Sequence, residues 1–409
     1  MRMNKWITLG FLCGLFLIYN IDRAILGVLA IPIQESLGLT DVQFGCLSSG
    51  IFWTYAVVAP FAGMAGDRFD KRKLLGVTSL LWSLMTLLAG FSGGFWSMFL
   101  LLSVAVVIPQ ACFFPTSNAL ISECHDETRT RALSCLLASS HLGWLLSGVA
   151  VALILSVFGC WRCSYFIFGG AGLALAAVFL FLSARPERNG SRETVANKAC
   201  AKPTLGASAK AFFGNPAVLL VAVSYIMVVF TAYGYGAWAP KFIAKKFAVA
   251  PSAAGTGVML CGFGFAFAGI LAAGWLTDRY VKKIPAFRLW AMIATLFVAA
   301  PSLVFFSFAP TFALALSGAA VFGFGRGAYG ANPIAAIFDV VDSRCRAGAV
   351  AFLNVTAALV GSLSPVGMGA LSQHFGMRGL EIGFVCLGVS LAVAVAALVG
   401  AVFLKRSSK

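Results

Sequence analysis

Residues 63–73 read GMAGDRFDKRK, and residues 274–283 read GWLTDRYVKK. Gly63, Asp67, Arg68, Phe69, Lys71 and Arg72 recur as Gly274, Asp278, Arg279, Tyr280, Lys282 and Lys283, in the same order and at the same spacing. Each copy follows a long apolar run and ends in a basic cluster. A second echo accompanies the first: Asn118 leads to ETRTRA (127–132), and Asn332 leads to DSRCRA (342–347). Two echoes at nearly one offset mark an internal duplication.

The duplicated material belongs in lipid. The 409 residues are 60% hydrophobic and 11% charged, with a mean hydropathy of +0.92, whereas soluble domains carry roughly 25% charged residues. No soluble core hides that much apolar surface, so the chain reads as an integral membrane protein. The net charge of +16 does not indicate nucleic acid, because the basic residues fall in short clusters between apolar spans and suit anionic lipid head groups. The eleven cysteines lie mostly in apolar runs, where they act as small hydrophobes. Cys160 and Cys163 read as two thiols at a helix boundary, since no second pair completes a zinc site. No metal or cofactor is expected.

Runs of about 20 apolar residues are needed to cross a bilayer. Twelve are expected, at approximately 6–31, 44–66, 74–93, 96–121, 132–157, 164–183, 216–240, 253–276, 286–308, 311–337, 347–371 and 379–404. All should be helical, because lipid satisfies no exposed backbone group. The first run exceeds a signal-peptide core and lacks a convincing cleavage site, so it reads as an uncleaved span. With the N-terminus inside, 23 of the 30 Lys and Arg residues fall in inner segments and five (Arg162, Lys241, Lys245, Lys246, Arg378) in outer loops. By the positive-inside rule both termini are therefore cytoplasmic. The expected organisation is an N-terminal six-helix bundle (1–183), a cytoplasmic linker (184–215) and a C-terminal six-helix bundle (216–409).

Twelve spans in six plus six, a basic central loop, and G-x-x-x-D-R-x-x-[KR]-[KR] after the second and eighth spans resemble the major facilitator superfamily over essentially the whole chain. YNIDR in the first span and GDRFDKRK after the second are similar to two of its branches, the organic anion:cation symporters and the Spinster-like transporters. The resemblance implies an all-α fold of two pseudo-symmetric bundles, a binding cavity lined mainly by spans 1, 4, 7 and 10, and alternating access. It further implies that Asp67, Arg68, Lys71, Arg72, Asp278 and Arg279 gate the cytoplasmic side. Both branches usually carry Arg and Glu seven residues apart in the fourth span; here those positions are Ser103 and Gln110, and a neutral Gln110 cannot carry a coupling proton.

FLIYNIDRAILGVL (16–29) places Asp22 and Arg23 inside the first span, at a cost of at least ~2.5–3.5 kcal/mol per charge by insertion scales. Asp22 is the sole carboxylate expected deep in a span, and the protonation of a buried carboxylate depends on its neighbours. It is the expected coupling residue, set against a static pairing with Arg23 or Arg326 that fixes packing. Neighbours on a helix are about 100° apart, so the two charges need different partners. Arg23 and Arg326 offer planar forks for an anion. Tyr19, Tyr55, Tyr233 and Tyr329 offer apolar faces with polar tips, and Gln110 and His141 complete the candidate substrate site. Packing, or hydrogen bonding between helices, explains several of these equally well.

The expected function is secondary active transport of a small organic anion, a sugar acid or sialic-acid-like solute, coupled to H⁺ or Na⁺. The alternative is Spinster-like transport of a lysolipid or other amphipathic lipid. An enzyme would need clustered acids and histidines near an interface, and three dispersed His residues argue against one. A monomer in a bacterial inner membrane, with substrate, coupling ion and lipid as its only partners, is expected.

Overall fold

The computed structural model describes residues 4–125, 128–183, 209, 212–281, 283–284, 286–342 and 345–407. The bulk of the expected linker (184–208), Lys282, and the side chain of Asp67 lie outside this description.

Twelve helices cross the molecule. They are α1 (Lys5–Val28), α2 (Asp41–Arg68), α3 (Lys71–Ala89), α4 (Phe95–Cys124), α5 (Arg129–Phe158), α6 (Arg162–Ser183), α7 (Pro216–Phe247), α8 (Pro251–Tyr280), α9 (Phe287–Phe308), α10 (Phe312–Gly330), α11 (Arg346–Gly361, continued by Leu363–Phe375) and α12 (Met377–Ser407). Among the described residues, eleven helices are long and apolar enough to cross a membrane. The twelfth, α10, is less apolar because its second half is glycine-rich and carries Arg326.

Local chemistry sets the helix ends. Asn4, Asp70, Asn215 and Thr311 cap α1, α3, α7 and α10 with side-chain oxygens that accept backbone N–H bonds, satisfying donors that a helix start leaves free. Two expected spans change at their ends. The run expected over 311–337 breaks after Gly330, and a separate short helix follows at Pro333–Phe338; Pro333 has no N–H to continue the ladder. Helix α7 runs to Phe247 rather than stopping near 240. Lys241, Lys245 and Lys246 are therefore helical, not loop, residues, and the last turn favours positive charge.

The duplication is legible in the packing. The first set pairs α1 with α5 and α6, α2 with α4, and α3 with α4 and α6. The second set pairs α7 with α11 and α12, α8 with α10, and α9 with α10 and α12. Across the two sets, α2 packs on α11, α5 on α8, and α1 on α7. The two sets of six helices thus repeat one packing scheme, as the duplicated sequence predicts.

The α1–α7 crossing is close. A Cβ on Gly27 would sit 2.3 Å from the carbonyl oxygen of Gly236, so only glycine permits this approach. Contact between the sets concentrates at the end remote from the chain termini, hereafter the far end. There Lys241 pairs with Asp41 and donates to Gln34, the Ser372 hydroxyl donates to Asp41, and the Val42 N–H donates to Gln373. Ser49 donates to the Ser362 carbonyl, and Thr256 to that of Gly148. At the termini end the bonds of Arg72 to Cys124, His125 to Lys5 and Arg288 to Asp339 each stay within one set.

Candidate functional site

Mid-depth between the two sets lies a cavity of about 330 Å³, walled by α1, α2, α5, α7, α8 and α10. Arg23 reaches it from α1 and Arg326 from α10. Ser48 of α2, Ser140, His141 and Trp144 of α5, and Tyr225 and Tyr233 of α7 supply its other polar groups, and no carboxylate among the described residues lines it.

The Arg23 guanidinium lies 4.8 Å from the Tyr19 ring centre and 5.2 Å from that of Tyr55, a cation–π seat that holds charge without neutralising it. Its Nε donates to Gln110 Oε1 at a long 3.5 Å, and its Nη2 is buried without a partner. The Arg326 guanidinium sits 4.8 Å from the Phe263 ring centre. It makes no hydrogen bond among the described residues, and its Nε is buried without a partner. Phe263 belongs to a π-helical turn, Leu260–Gly264, that interrupts α8. Such turns re-aim side chains and recur at functional sites.

Asp22 faces elsewhere. Its Oδ2 accepts from Thr86 of α3 at 3.3 Å, while Oδ1 is buried without a partner. It adjoins a narrow void shared with Arg23 and Gln110 rather than the main cavity. Among the described residues Asp22 forms no ion pair, so the static pairing with Arg23 or Arg326 is not present.

Of the expected substrate residues, the fold brings Arg23, Arg326, His141 and Tyr233 to the cavity. Tyr19 and Tyr55 lie against the Arg23 guanidinium, and Gln110 accepts from its Nε. Tyr329 is not part of the cavity: it is 1% exposed and its hydroxyl is bonded to Ser224 at 2.7 Å, joining α7 to α10. Ser103 is likewise structural, donating to the Leu47 carbonyl at 2.8 Å.

Of the stacked aromatic walls, sequence reading named Tyr233 and missed Phe52, Trp144 and Phe263. Trp144 stacks on Phe263 with centres 4.7 Å apart, and Phe52 on Tyr233 at 3.5 Å. Each stack takes one ring from each set. Nothing in a single sequence distinguishes Phe52, Trp144 and Phe263 from ordinary packing aromatics.

At the termini end, Lys71 pairs with Glu123 of α4 at 2.8 Å, and Arg72 Nη2 lies 4.0 Å from the Cys124 sulfur. Arg68, Asp278 and Arg279 are exposed, with Arg279 over the Trp275 ring. In this conformation the described part of the duplicated motif binds within its own set.

The family model for the Major Facilitator Superfamily matches residues 11–365. An MFS-type efflux pump of Mycolicibacterium smegmatis is 26% identical over 98% of this chain and 91% of its own length. The hexuronate transporter of Bacillus subtilis is 24% identical over 90% of this chain and 87% of its own length. Protein spinster homolog 1 of Xenopus tropicalis is 25% identical over 56% of this chain, and the match spans 44% of that protein, so the chain aligns with less than half of this relative. Among solved structures, an inward-facing bacterial homologue of the human lysosomal transporter Spinster superposes with a TM-score of 0.85 at 20% identity, covering 98% of this chain and 97% of that one. The chain belongs to the major facilitator superfamily, a family of multi-pass membrane transporters rather than enzymes.

Proposed function

We propose that this transporter carries a small organic anion by alternating access, coupled to H⁺ or Na⁺ through Asp22. One observation carries the reading: two guanidinium groups from opposite sets face one cavity that no carboxylate lines. Buried cations without anionic partners are costly, and an anionic solute is the partner that offsets this cost. Sugar acids and sialic-acid-like solutes are the class the family resemblance implies, and the hexuronate relative supports an acid. Asp22, one helix face away from the cavity, is placed to sense the occupancy of Arg23 through the Gln110 void. The bundles 1–183 and 216–409 are the moving units, joined by the 184–215 linker. The duplicated motif closes the termini end, on the cytoplasmic side, when the far end opens. The protein works as a monomer in a bacterial inner membrane with both termini cytoplasmic.

The lysolipid alternative has its own observation. An almost wholly apolar groove of about 430 Å³ lies between α8, α9 and α10, behind the helix that bears Arg326. Thermal stabilisation of the purified protein separates the readings, because a ligand raises stability according to its concentration over its Kd. Organic anions should stabilise it, with neutral sugars and lysolipids inert. Stabilisation by lysolipids alone would overturn the anion reading.

A further inference from the structure

Resting on the anion reading, we propose that the favoured substrate has an apolar body, an aromatic or branched aliphatic carboxylate or sulfonate, and is not a polyhydroxylated acid. The cavity wall contains six uncharged polar side chains, Ser48, Ser140, His141, Trp144, Tyr225 and Tyr233, and three of them already commit their donors elsewhere. The Ser140 hydroxyl and the Trp144 indole N–H both donate to Asn20 Oδ1, at 3.0 and 3.1 Å. Asn20 is fixed in turn, its amide donating to the Phe16 carbonyl at 2.6 Å. The Tyr225 hydroxyl donates to Asn354 Oδ1 at 3.4 Å. Ser48 is the buried wall hydroxyl left without a partner.

A sugar ring brings several hydroxyls, and each must exchange its water partners for protein ones or go unsatisfied. Apart from the two guanidiniums, this wall offers Ser48, Tyr233 and His141 to meet them. An apolar body has no such requirement. It meets the faces of the Trp144–Phe263 and Phe52–Tyr233 stacks, together with Leu26, Ile51 and Val229, and burying it there is favourable without added hydrogen bonds. The anionic group goes to Arg23 and Arg326, which belong to different sets, so a bound anion ties the sets together. The volume of about 330 Å³ accommodates a single-ring acid.

The experiment measures Kd by calorimetry for phenylacetate, benzoate, glucuronate and N-acetylneuraminate on the full-length protein in detergent. Phenylacetate or benzoate should bind at least tenfold more tightly than either sugar acid. In Trp144→Ala that advantage should shrink severalfold, whereas Arg326→Gln should weaken all binding acids together. If a sugar acid binds as tightly as the aromatic acids or more so, the proposal is overturned and the anion site stands. If none of the four acids binds while a lysolipid does, the anion reading fails and this proposal falls with it. The wild-type comparison decides the matter even if a variant does not fold.

Discussion

Lys241, near the end of α7, and Asp41, the first residue of α2, form an ion pair in which the lysine side chain is 3% exposed. The Trp238 ring lies 5.1 Å from the ammonium, and Gln34 and Ser372 complete the hydrogen bonding. The pair joins the two sets at the far end, so opening that end requires it to separate. Removing the lysine leaves the Asp41 carboxylate without its cation, at a cost below the ~3–5 kcal/mol of a fully buried pair because Asp41 is 20% exposed. Lys241→Met should therefore bias the protein toward the state open at the far end. A cysteine at Ser362, in a background freed of native thiols, should become at least tenfold more reactive to an impermeant reagent. The double variant Lys241→Met with Asp41→Leu should recover most of the closure. Equal labelling in all three proteins would show that the pair does not govern opening.

Asp22→Asn keeps the side-chain shape and one acceptor for Thr86. Uphill accumulation in proteoliposomes should be abolished while substrate binding and downhill exchange persist. Arg23→Gln should instead lose binding itself, by tenfold or more. Concentrative uptake by the Asp22 variant would make the carboxylate a packing element.

Arg326→Lys preserves charge but loses the planar fork and the flat contact with Phe263. Transport should fall nearly as far as in Arg326→Ala, with membrane expression intact. Near-normal affinity in the lysine variant would reduce Arg326 to a source of charge.

The α1–α7 crossing supplies a steric test. Gly27→Ala places a methyl group against the Gly236 carbonyl, so the far end cannot close fully and transport should drop about tenfold or more. Gly10→Ala, where a Cβ meets nothing within 4 Å, is the matched control and should be neutral. Equal rates for the two variants would show that the crossing relaxes at little cost.

The helices, their number and their duplication were legible in the sequence because lipid imposes length and apolarity on every span. Arg23 and Arg326 were legible for a related reason: charge inside a span is expensive and so stands out. The divergence of Asp22 from Arg23 followed from the helical angle alone. What stayed hidden depends on neighbours distant in sequence. Lys241 read as a loop lysine until α7 extended to meet Asp41. Tyr329 read as a site residue although Ser224 holds it in the packing between helices. The commitment of Ser140 and Trp144 to Asn20 is a three-residue relation across α1 and α5 that no local pattern announces.

The Phe52–Tyr233 stack and the Asp41–Lys241 pair lie on the same two helices, α2 and α7, and their separation defines a lever. At a rise of about 1.5 Å per residue, the stretch from Asp41 to Phe52 gives an arm of roughly 16 Å. Pulling the ion pair beyond hydrogen-bonding reach, by about 3 Å, then corresponds to a tilt of roughly 10° about the stacked rings. In such a tilt the stack lies at the fulcrum, and whatever lies in the adjoining cavity sits near the pivot, where a small displacement, made against a proportionately larger force, corresponds to a large one at the far end.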